Sequence, residues 1–347
     1  MSELKKKQRD ADSYVGYEQS VVEELGDVLW YFANIATRAG LDLSTLAQRI
    51  SRSHGDWEEV EPDPAFVFPA LQPDLARGGP GPAETFETGA IRLAGKVGRL
   101  LEDFEVRRFD DNRDFLSGHL LEVLGALVAA ANDAGVSLGK AAAENLEKTW
   151  SRWPPEKRYS PLFDGAFPPE EQLPRTIVMN IAERTVAGRT YVIQRCNEIN
   201  MGDRLTDSKA EEDDYRFHDV FHLAYAAVLG WSPVTRTLFR VKRKSDPKTD
   251  ETEDGARAIL IEEGLSTWIF NHAARLNFFE AVESLDYGLL KALREFVRGY
   301  EVDRLPLWLW EEAILQGYGV FRELRKHRKG LVTADLDNRR ITFEETP

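Results

Sequence analysis

The sequence predicts a mainly all-α protein, in which a helical bundle made of two diverged copies of one unit precedes a second α-helical domain with a β-hairpin. Three observations support this fold class. Apolar residues recur at helical spacing along most of the 347 residues. A helix, an Ala-Gly turn and a second helix occur twice, and Gly135 of the second turn lies 95 positions after Gly40 of the first. The stretch 175–196 instead alternates apolar and polar residues around Ala187-Gly188, which is typical of a β-hairpin.

The two copies divide the first half of the chain into three predicted parts. Residues 1–55 form a partial first copy, 56–87 a Pro- and Gly-rich linker, and 88–155 the second, diverged copy. Asp42 or Ser44 can cap the second helix of the first copy. The predicted helices span 13–53 with a break at Ala39-Gly40, 88–108, 111–134 and 137–150.

The remaining residues, 156–347, form the predicted C-terminal domain, in which helices follow the hairpin. The charged segment 241–254 is predicted as a solvated loop, although its basic part, 240–248, could also gather phosphates. Helical patterns cover 215–229, 253–274, 287–300 and 306–327, and the tail from Gly330 can add a short strand.

Composition and charge limit the classes of partner. The formal net charge of −14 disfavours a nucleic acid surface, although divalent cations can bridge an acidic site and a nucleotide. No apolar run of about 20 residues predicts a membrane span, and the first residues lack the apolar core of a signal peptide. The single cysteine, Cys196, allows no internal disulfide. These observations favour a cytoplasmic protein.

Three carboxylates lie close together on the helix that begins the first copy. Glu24 and Asp27 are three positions apart and Glu23 and Asp27 four, so that one helical face carries them. Such carboxylates repel one another unless a cation lies between them, and hard oxygen ligands suit Mg²⁺ or Mn²⁺. The alternative interpretation is an exposed acidic turn that the helix dipole stabilises.

The segment VVEELGDVLWYFANIATRAGLDLSTLA resembles the ExxD helix of the MazG-like, all-α nucleoside triphosphate pyrophosphohydrolases. AAAENLEKTWSRWP is similar to the closing helix of that family, and LAGKVGRLLEDF to its opening acidic helix. Together these resemblances cover roughly residues 5 to 155. The C-terminal part also looks like the extension of larger MazG-like proteins.

The resemblance implies cleavage of nucleoside triphosphates to monophosphate and pyrophosphate, with Mg²⁺ held by acids from two helices. It implies that Glu24, Asp27 and Glu102 are metal ligands and that Glu23 is a neighbouring ligand or base. It also implies a homo-oligomer, a dimer or larger, because helices of this family usually pack between subunits. The implied nucleotide-binding residues are Asn145, Lys148 and Arg152.

The sequence departs from the family pattern in both copies. The first copy lacks most of the opening acidic helix, of which ELKKKQRD would be the end. The second has Lys96 and Arg99 where acids are expected, and His119 and Glu122 in place of the ExxD acids. Two interpretations stay open: one composite site built from both copies, or a retained fold whose chemistry is weakened or lost. The second would make the chain a degenerate nucleotide sensor or interaction module.

A second constellation lies in the C-terminal domain, within YRFHDVFHLAYAAVLGW. His218 and His222 share a helical face, and Asp219 completes a His-Asp-x-x-His motif, the zincin spacing with Asp in place of Glu. Glu262 and Glu263 lie within another apolar helix, where a carboxylate is costly unless it is paired or binds metal.

This constellation has three interpretations. Glu263 would join the two histidines as a ligand of a transition metal such as Zn²⁺, and Asp219 would be the general base of a metal-dependent hydrolase or would orient a ligand. Alternatively, Glu262, Glu263 or Arg216 pairs with the histidines and no metal binds. The third is a metal-free nucleotide or phosphate pocket. The leading hypothesis remains the Mg²⁺-dependent pyrophosphohydrolase, and the C-terminal hydrolase is its alternative.

Overall fold

The computed structural model describes residues 6, 9–10, 16–51, 68–73, 75, 83–110 and 112–346. The chain divides into two compact units, Met1–Trp150 and Ser151–Pro347. The described residues are mainly α-helical with one antiparallel sheet, which confirms the predicted fold class. Of the predicted linker 56–87, residues 68–73, 75 and 83–87 are described, and its other residues lie outside the described residues, as does most of ELKKKQRD.

The described residues of the first unit form helices joined by turns. Its helix α3 begins at Ala83, before the predicted start at residue 88. Its helices are α1 (Tyr17–Arg38), α2 (Leu43–Ser51), α3 (Ala83–Glu105), α4 (Arg113–Asp133) and α5 (Leu138–Arg152), with a 3₁₀ turn at Phe68–Ala70.

The two Ala-Gly turns share one backbone geometry. Gly40 and Gly135 both have φ +67°, a left-handed conformation that glycine adopts without strain. In both turns, the amide after the glycine donates to the carbonyl five residues earlier, at 2.9 Å. Asp42 and Ser137, at equivalent positions, each accept a hydrogen bond from the amide three residues later, at 3.1 and 3.3 Å. The internal repeat seen in the sequence therefore corresponds to two helical hairpins with the same turn.

Helix α4 forms the centre of the core of the first unit. Leu120, Leu124 and Leu127 are fully buried in a cluster that includes Val22 and Leu25 of α1. By length and hydropathy, α4 is the one described helix that could cross a membrane, against the expectation of no such run. The core helix of a globular domain passes the same test, and half of the apolar window of α4 is buried.

The second unit combines a five-stranded sheet with helices. All strand pairs are antiparallel, in the order β3-β2-β1-β4-β5, and β1 and β2 form the predicted hairpin around Ala187-Gly188. The strands are β1 (Thr176–Val186), β2 (Arg189–Cys196), β3 (Ile199–Asn200), β4 (Lys329–Asp335) and β5 (Arg340–Glu344). The helices are α6 (Asp219–Ala224), α7 (Pro233–Phe239), α8 (Pro247–Thr252), α9 (Ala256–Ala274), α10 (Tyr287–Phe296) and α11 (Leu307–His327).

The core of this unit lies between the sheet, α6 and α11. Ile177, Met179 and Ile181 alternate along the buried face of β1, as the period of a strand requires. Phe221 of α6 stacks on Tyr318 of α11, with ring centroids 4.4 Å apart. The long apolar pattern of α11 is therefore explained by core packing.

The charged segment 241–254 is only in part the solvated loop that the sequence predicted. Residues 244–248, 251 and 252 are exposed, but helix α8 lies inside the segment and begins after its N-cap Asp246. Arg243 is 1% exposed and forms ion pairs of 2.7 Å with Asp254 and Glu301. The prediction was wrong for Arg243 because burial with a partner 58 positions away satisfies the charge of this arginine.

Candidate functional site

Helices α1 and α5 approach each other closely at Gly26. A Cβ atom added there would lie 2.6 Å from the carbonyl oxygen of Ala141, so only glycine allows this contact. The next residue, Asp27, accepts a hydrogen bond of 2.5 Å from Asn145 Nδ2 on its Oδ1 atom. Lys148 forms an ion pair with the same oxygen. The structure thus brings together three residues that the sequence implied for the site, one from the first copy and two from the second.

The other predicted acids of this unit lie on α1 and α3. Glu23 is half-buried and Glu24 is exposed on α1, whereas Glu102 is exposed on α3. Glu24 lies at an otherwise apolar cleft of about 440 Å³ between α1 and α3. The cleft is lined by Val21, Leu25, Val28, Phe86, Leu93 and Leu101, among others.

The carboxylates of this unit can be compared with the needs of Mg²⁺. Among the described residues, Glu23, Glu24, Asp27 and Glu102 do not form a group of three close ligand atoms. Mg²⁺ usually binds one or two protein carboxylates together with water and substrate phosphates. The Asp27 side chain is 40% exposed, so its carboxylate is accessible to a bound ion.

The equivalent positions of the second copy carry internal ion pairs. Glu122, which corresponds to Asp27, pairs with Lys96 at 2.6 Å, and this lysine lowers the pKa of Glu122. His119, which corresponds to Glu24, contacts Asp103 with 3.0 Å between Nε2 and Oδ2. Lys96, at a position where the resemblance leads one to expect an acid, therefore neutralises Glu122.

Arg152, the third predicted nucleotide contact, has other partners. It donates hydrogen bonds to Ser284 Oγ at 3.2 Å and to the carbonyl of Leu285, and its guanidinium lies over the ring of Trp153. These contacts belong to the second unit, so the structure does not place Arg152 with Asn145 and Lys148 around Asp27.

The His-Asp-x-x-His motif lies at the start of the buried helix α6. The predicted helix over 215–229 consists of a 3₁₀ turn, α6 and a π-helical turn that ends at Gly230 with φ +71°. Such π turns are frequent at functional sites. His218, Asp219 and His222 place ligand atoms within 4.8 Å of one another, the one such group of three among the residues that the structure describes.

Helix α9 brings two glutamates to this motif. Glu262 is fully buried, and its Oε1 atom lies 2.9 Å from His222 Nδ1. Ser232 Oγ and the amide of Val234 also donate to this carboxylate, at 2.7 and 2.8 Å. Glu263 Oε2 lies 3.5 Å from His222 Nε2 and 3.9 Å from His218 Nε2.

Burial and charge act in opposite directions on the two rings. Burial lowers the pKa of His218 and outweighs the attraction of Asp219. Burial also disfavours the charged form of His222, but Glu262 and Glu263 outweigh it and raise the pKa of His222 well above its usual value. The carboxylates of this cluster therefore stabilise a positive charge, which either a proton or a metal ion can supply.

Two further side chains of this cluster were not identified from the sequence. Gln194 of β2 is 2% exposed and donates a hydrogen bond to Asp219 Oδ2. Ser232 holds Glu262. An inward-facing glutamine in an alternating strand was a usable signal, because a buried amide needs a partner. Ser232 gave no such signal, since its role depends on a contact between distant segments.

A family model described as MazG C-terminal domain matches residues 158–347. The match covers more than half of the chain and confirms the resemblance of the C-terminal part. It does not include the segments of the first unit, whose resemblance stays a prediction. No curated protein and no solved structure matched the chain.

Proposed function

Since the chain belongs to the MazG C-terminal domain family, we propose that it is a nucleotide pyrophosphohydrolase whose site lies in the first unit. In this proposal it converts a nucleoside triphosphate to monophosphate and pyrophosphate and depends on Mg²⁺ or Mn²⁺. The observation that carries the proposal is the contact of Asp27 with Asn145 and Lys148. It joins the ExxD-like helix of one copy to the closing helix of the other.

The side chains of this site have distinct roles. Glu24 and Asp27 would hold one Mg²⁺, which when bound neutralises phosphate charge and favours attack by water. Asn145 is 7% exposed and fixes the orientation of the Asp27 carboxylate. Lys148 supplies a positive charge, which would pair with a phosphate of the bound nucleotide instead of with Asp27. Glu23, four positions before Asp27, is the candidate base.

The apolar cleft beside Glu24 supports a small-molecule site. Its volume of about 440 Å³ is within the roughly 300–1,000 Å³ of ligand pockets. Phe86 and Leu101 would offer apolar surface to a base, while Glu24 would bind the metal ion. A nucleotide placed in this way would direct its phosphates towards Lys148.

The test is to identify products for a panel of ribo- and deoxyribonucleoside triphosphates in Mg²⁺ and then in Mn²⁺. Chromatography should detect monophosphate and pyrophosphate in equal amounts, and a chelator should stop their release. Diphosphate plus inorganic phosphate would contradict the proposed bond cleavage. Tight nucleotide binding without product would instead establish a sensor.

A further inference from the structure

The cluster around His218 and His222 has no part in the proposed nucleotide site, although its atoms are arranged as metal ligands. His218 Nδ1 lies 2.8 Å from the carbonyl oxygen of Tyr215, which can only accept. The hydrogen is therefore on Nδ1, and Nε2 carries a lone pair. Glu262 fixes His222 in the same way through Nδ1. Both rings thus present Nε2 to the same small space.

The Nε2 atom of His222 is buried and has no hydrogen-bond partner among the residues that the structure describes. Its distance of 3.5 Å to Glu263 is too long for a good hydrogen bond. A buried polar atom without a partner destabilises the folded state. A ligand bond to a metal ion would satisfy this nitrogen.

Carboxylate oxygen atoms near the two Nε2 atoms complete the set of possible metal ligands. Asp219 Oδ1 lies 3.2 Å from His218 Nε2, and Glu263 Oε2 faces both rings. Two imidazoles with carboxylates are a ligand set of Zn²⁺ and of similar divalent transition metals. From this geometry we propose that the second unit holds one such ion through His218, His222, Asp219 and Glu263.

The residues behind the ligands support this assignment. Gln194 holds the second oxygen of Asp219, and Glu262 is fixed by Ser232 and by the amide of Val234. Metal-binding histidines usually donate their other ring N–H to such a carboxylate or carbonyl, which orients the ring.

The site is open on one side. The side chains of His218, Asp219 and Glu263 are 12%, 19% and 39% exposed, whereas that of His222 is 2% exposed. An ion can therefore enter, and a coordination position can remain for water or a substrate oxygen. Metal sites with such a position are typical of catalysis, whereas structural sites are closed.

The experiment uses the full chain, freed of metal by a chelator and then titrated with Zn²⁺ or Co²⁺. We expect one ion per chain, measured by elemental analysis and by competition with a chromogenic chelator. Bound Co²⁺ should give the absorption spectrum of an ion that has few ligands and is bound by nitrogen atoms. Less than stoichiometric binding would overturn the proposal.

Variants test whether these residues bind the ion. His218→Ala and Glu263→Gln should each lower the affinity for Zn²⁺ about 10-fold to 100-fold or more. The control His272→Ala removes a histidine of α9 outside the cluster and should bind Zn²⁺ as the unchanged chain does. Circular dichroism of the metal-free variants verifies folding. Undiminished binding by folded His218→Ala, or equal loss in His272→Ala, would overturn the proposal.

Discussion

Asn145 donates a hydrogen bond of 2.5 Å to Oδ1 of Asp27, although 118 positions separate the two residues along the chain. By the family resemblance, Asp27 belongs to the copy that keeps the ExxD acids and Asn145 to the copy that keeps the closing helix. The contact is therefore what the proposed composite site requires.

Lys148 should contribute to nucleotide affinity through its charge. Lys148→Met keeps most of the side chain but removes a charged contact worth about 1.5–3 kcal/mol, so binding should weaken about 10-fold or more. Calorimetry measures the nucleotide affinity. The ligand is a triphosphate analogue that cannot be cleaved between the α and β phosphates. The control is Lys140→Met on the same helix, where Lys140 forms an exposed pair of 3.5 Å with Glu18. Equal effects of the two substitutions would argue against a phosphate contact by Lys148.

Gly26 should be required for the approach of α1 to α5. In Gly26→Ala, the new Cβ atom would meet the carbonyl oxygen of Ala141, and overpacking of this kind costs about 1–3 kcal/mol. We expect a lower free energy of unfolding and slower nucleotide turnover, because Asp27 moves away from Asn145.

The matched control for Gly26 is Gly125→Ala in α4, where an added Cβ atom meets nothing within 4 Å. Alanine there should stabilise the protein by about 0.5–1 kcal/mol, since glycine is a poor helix former. Urea unfolding and the turnover assay compare the two variants. Unchanged stability and turnover in Gly26→Ala would mean that the helices are not in such close contact.

Several elements were predictable because their signals are local. The turns at Gly40 and Gly135, the hairpin at Ala187-Gly188 and the long helix α11 each follow from a periodicity or a turn residue. The spacing of His218 and His222 also predicted a shared face, and their ligand atoms lie close together.

Other features depend on contacts between distant segments. The burial of Arg243 follows from Asp254 and Glu301, and a charged run alone indicates solvent. Helix α7 has a Ser-Pro start at Ser232, but its seven residues are too few for a clear periodicity. The bond between Asp27 and Asn145 could be expected only from the family resemblance, since no local pattern joins the two copies.

Asp164 should make the second unit less stable at acidic pH. Its carboxylate is buried, which disfavours its charge, but the amide of Leu173 and the guanidinium groups of Arg236 and Arg175 outweigh burial and lower its pKa below the usual 3.8. A lowered pKa in the folded state stabilises the protein above pH 3.8, and this stabilisation is lost as the pH falls towards the folded-state pKa.

The variant Asp164→Asn tests this pH dependence. Removing one partner of a buried ion pair costs about 3–5 kcal/mol, so the variant should be less stable by this order at pH 7. The difference from the unchanged protein should shrink as the pH falls below 3.8. Urea unfolding of both proteins at several pH values measures the difference in their free energies of unfolding at pH 7 and its change with pH. A difference that is independent of pH would show that Asp164 is not charged in the folded protein.

Pyrophosphate release by a matched pair of variants tests the central claim most directly. Asp27→Asn and Glu122→Gln each neutralise a carboxylate that is paired with a lysine, at equivalent positions of the two copies. The composite site predicts that Asp27→Asn abolishes pyrophosphate release in Mg²⁺, whereas Glu122→Gln retains it within about two-fold, because such an exposed pair contributes only about 0–1 kcal/mol. Full release by folded Asp27→Asn, or equal loss in both variants, would contradict the account.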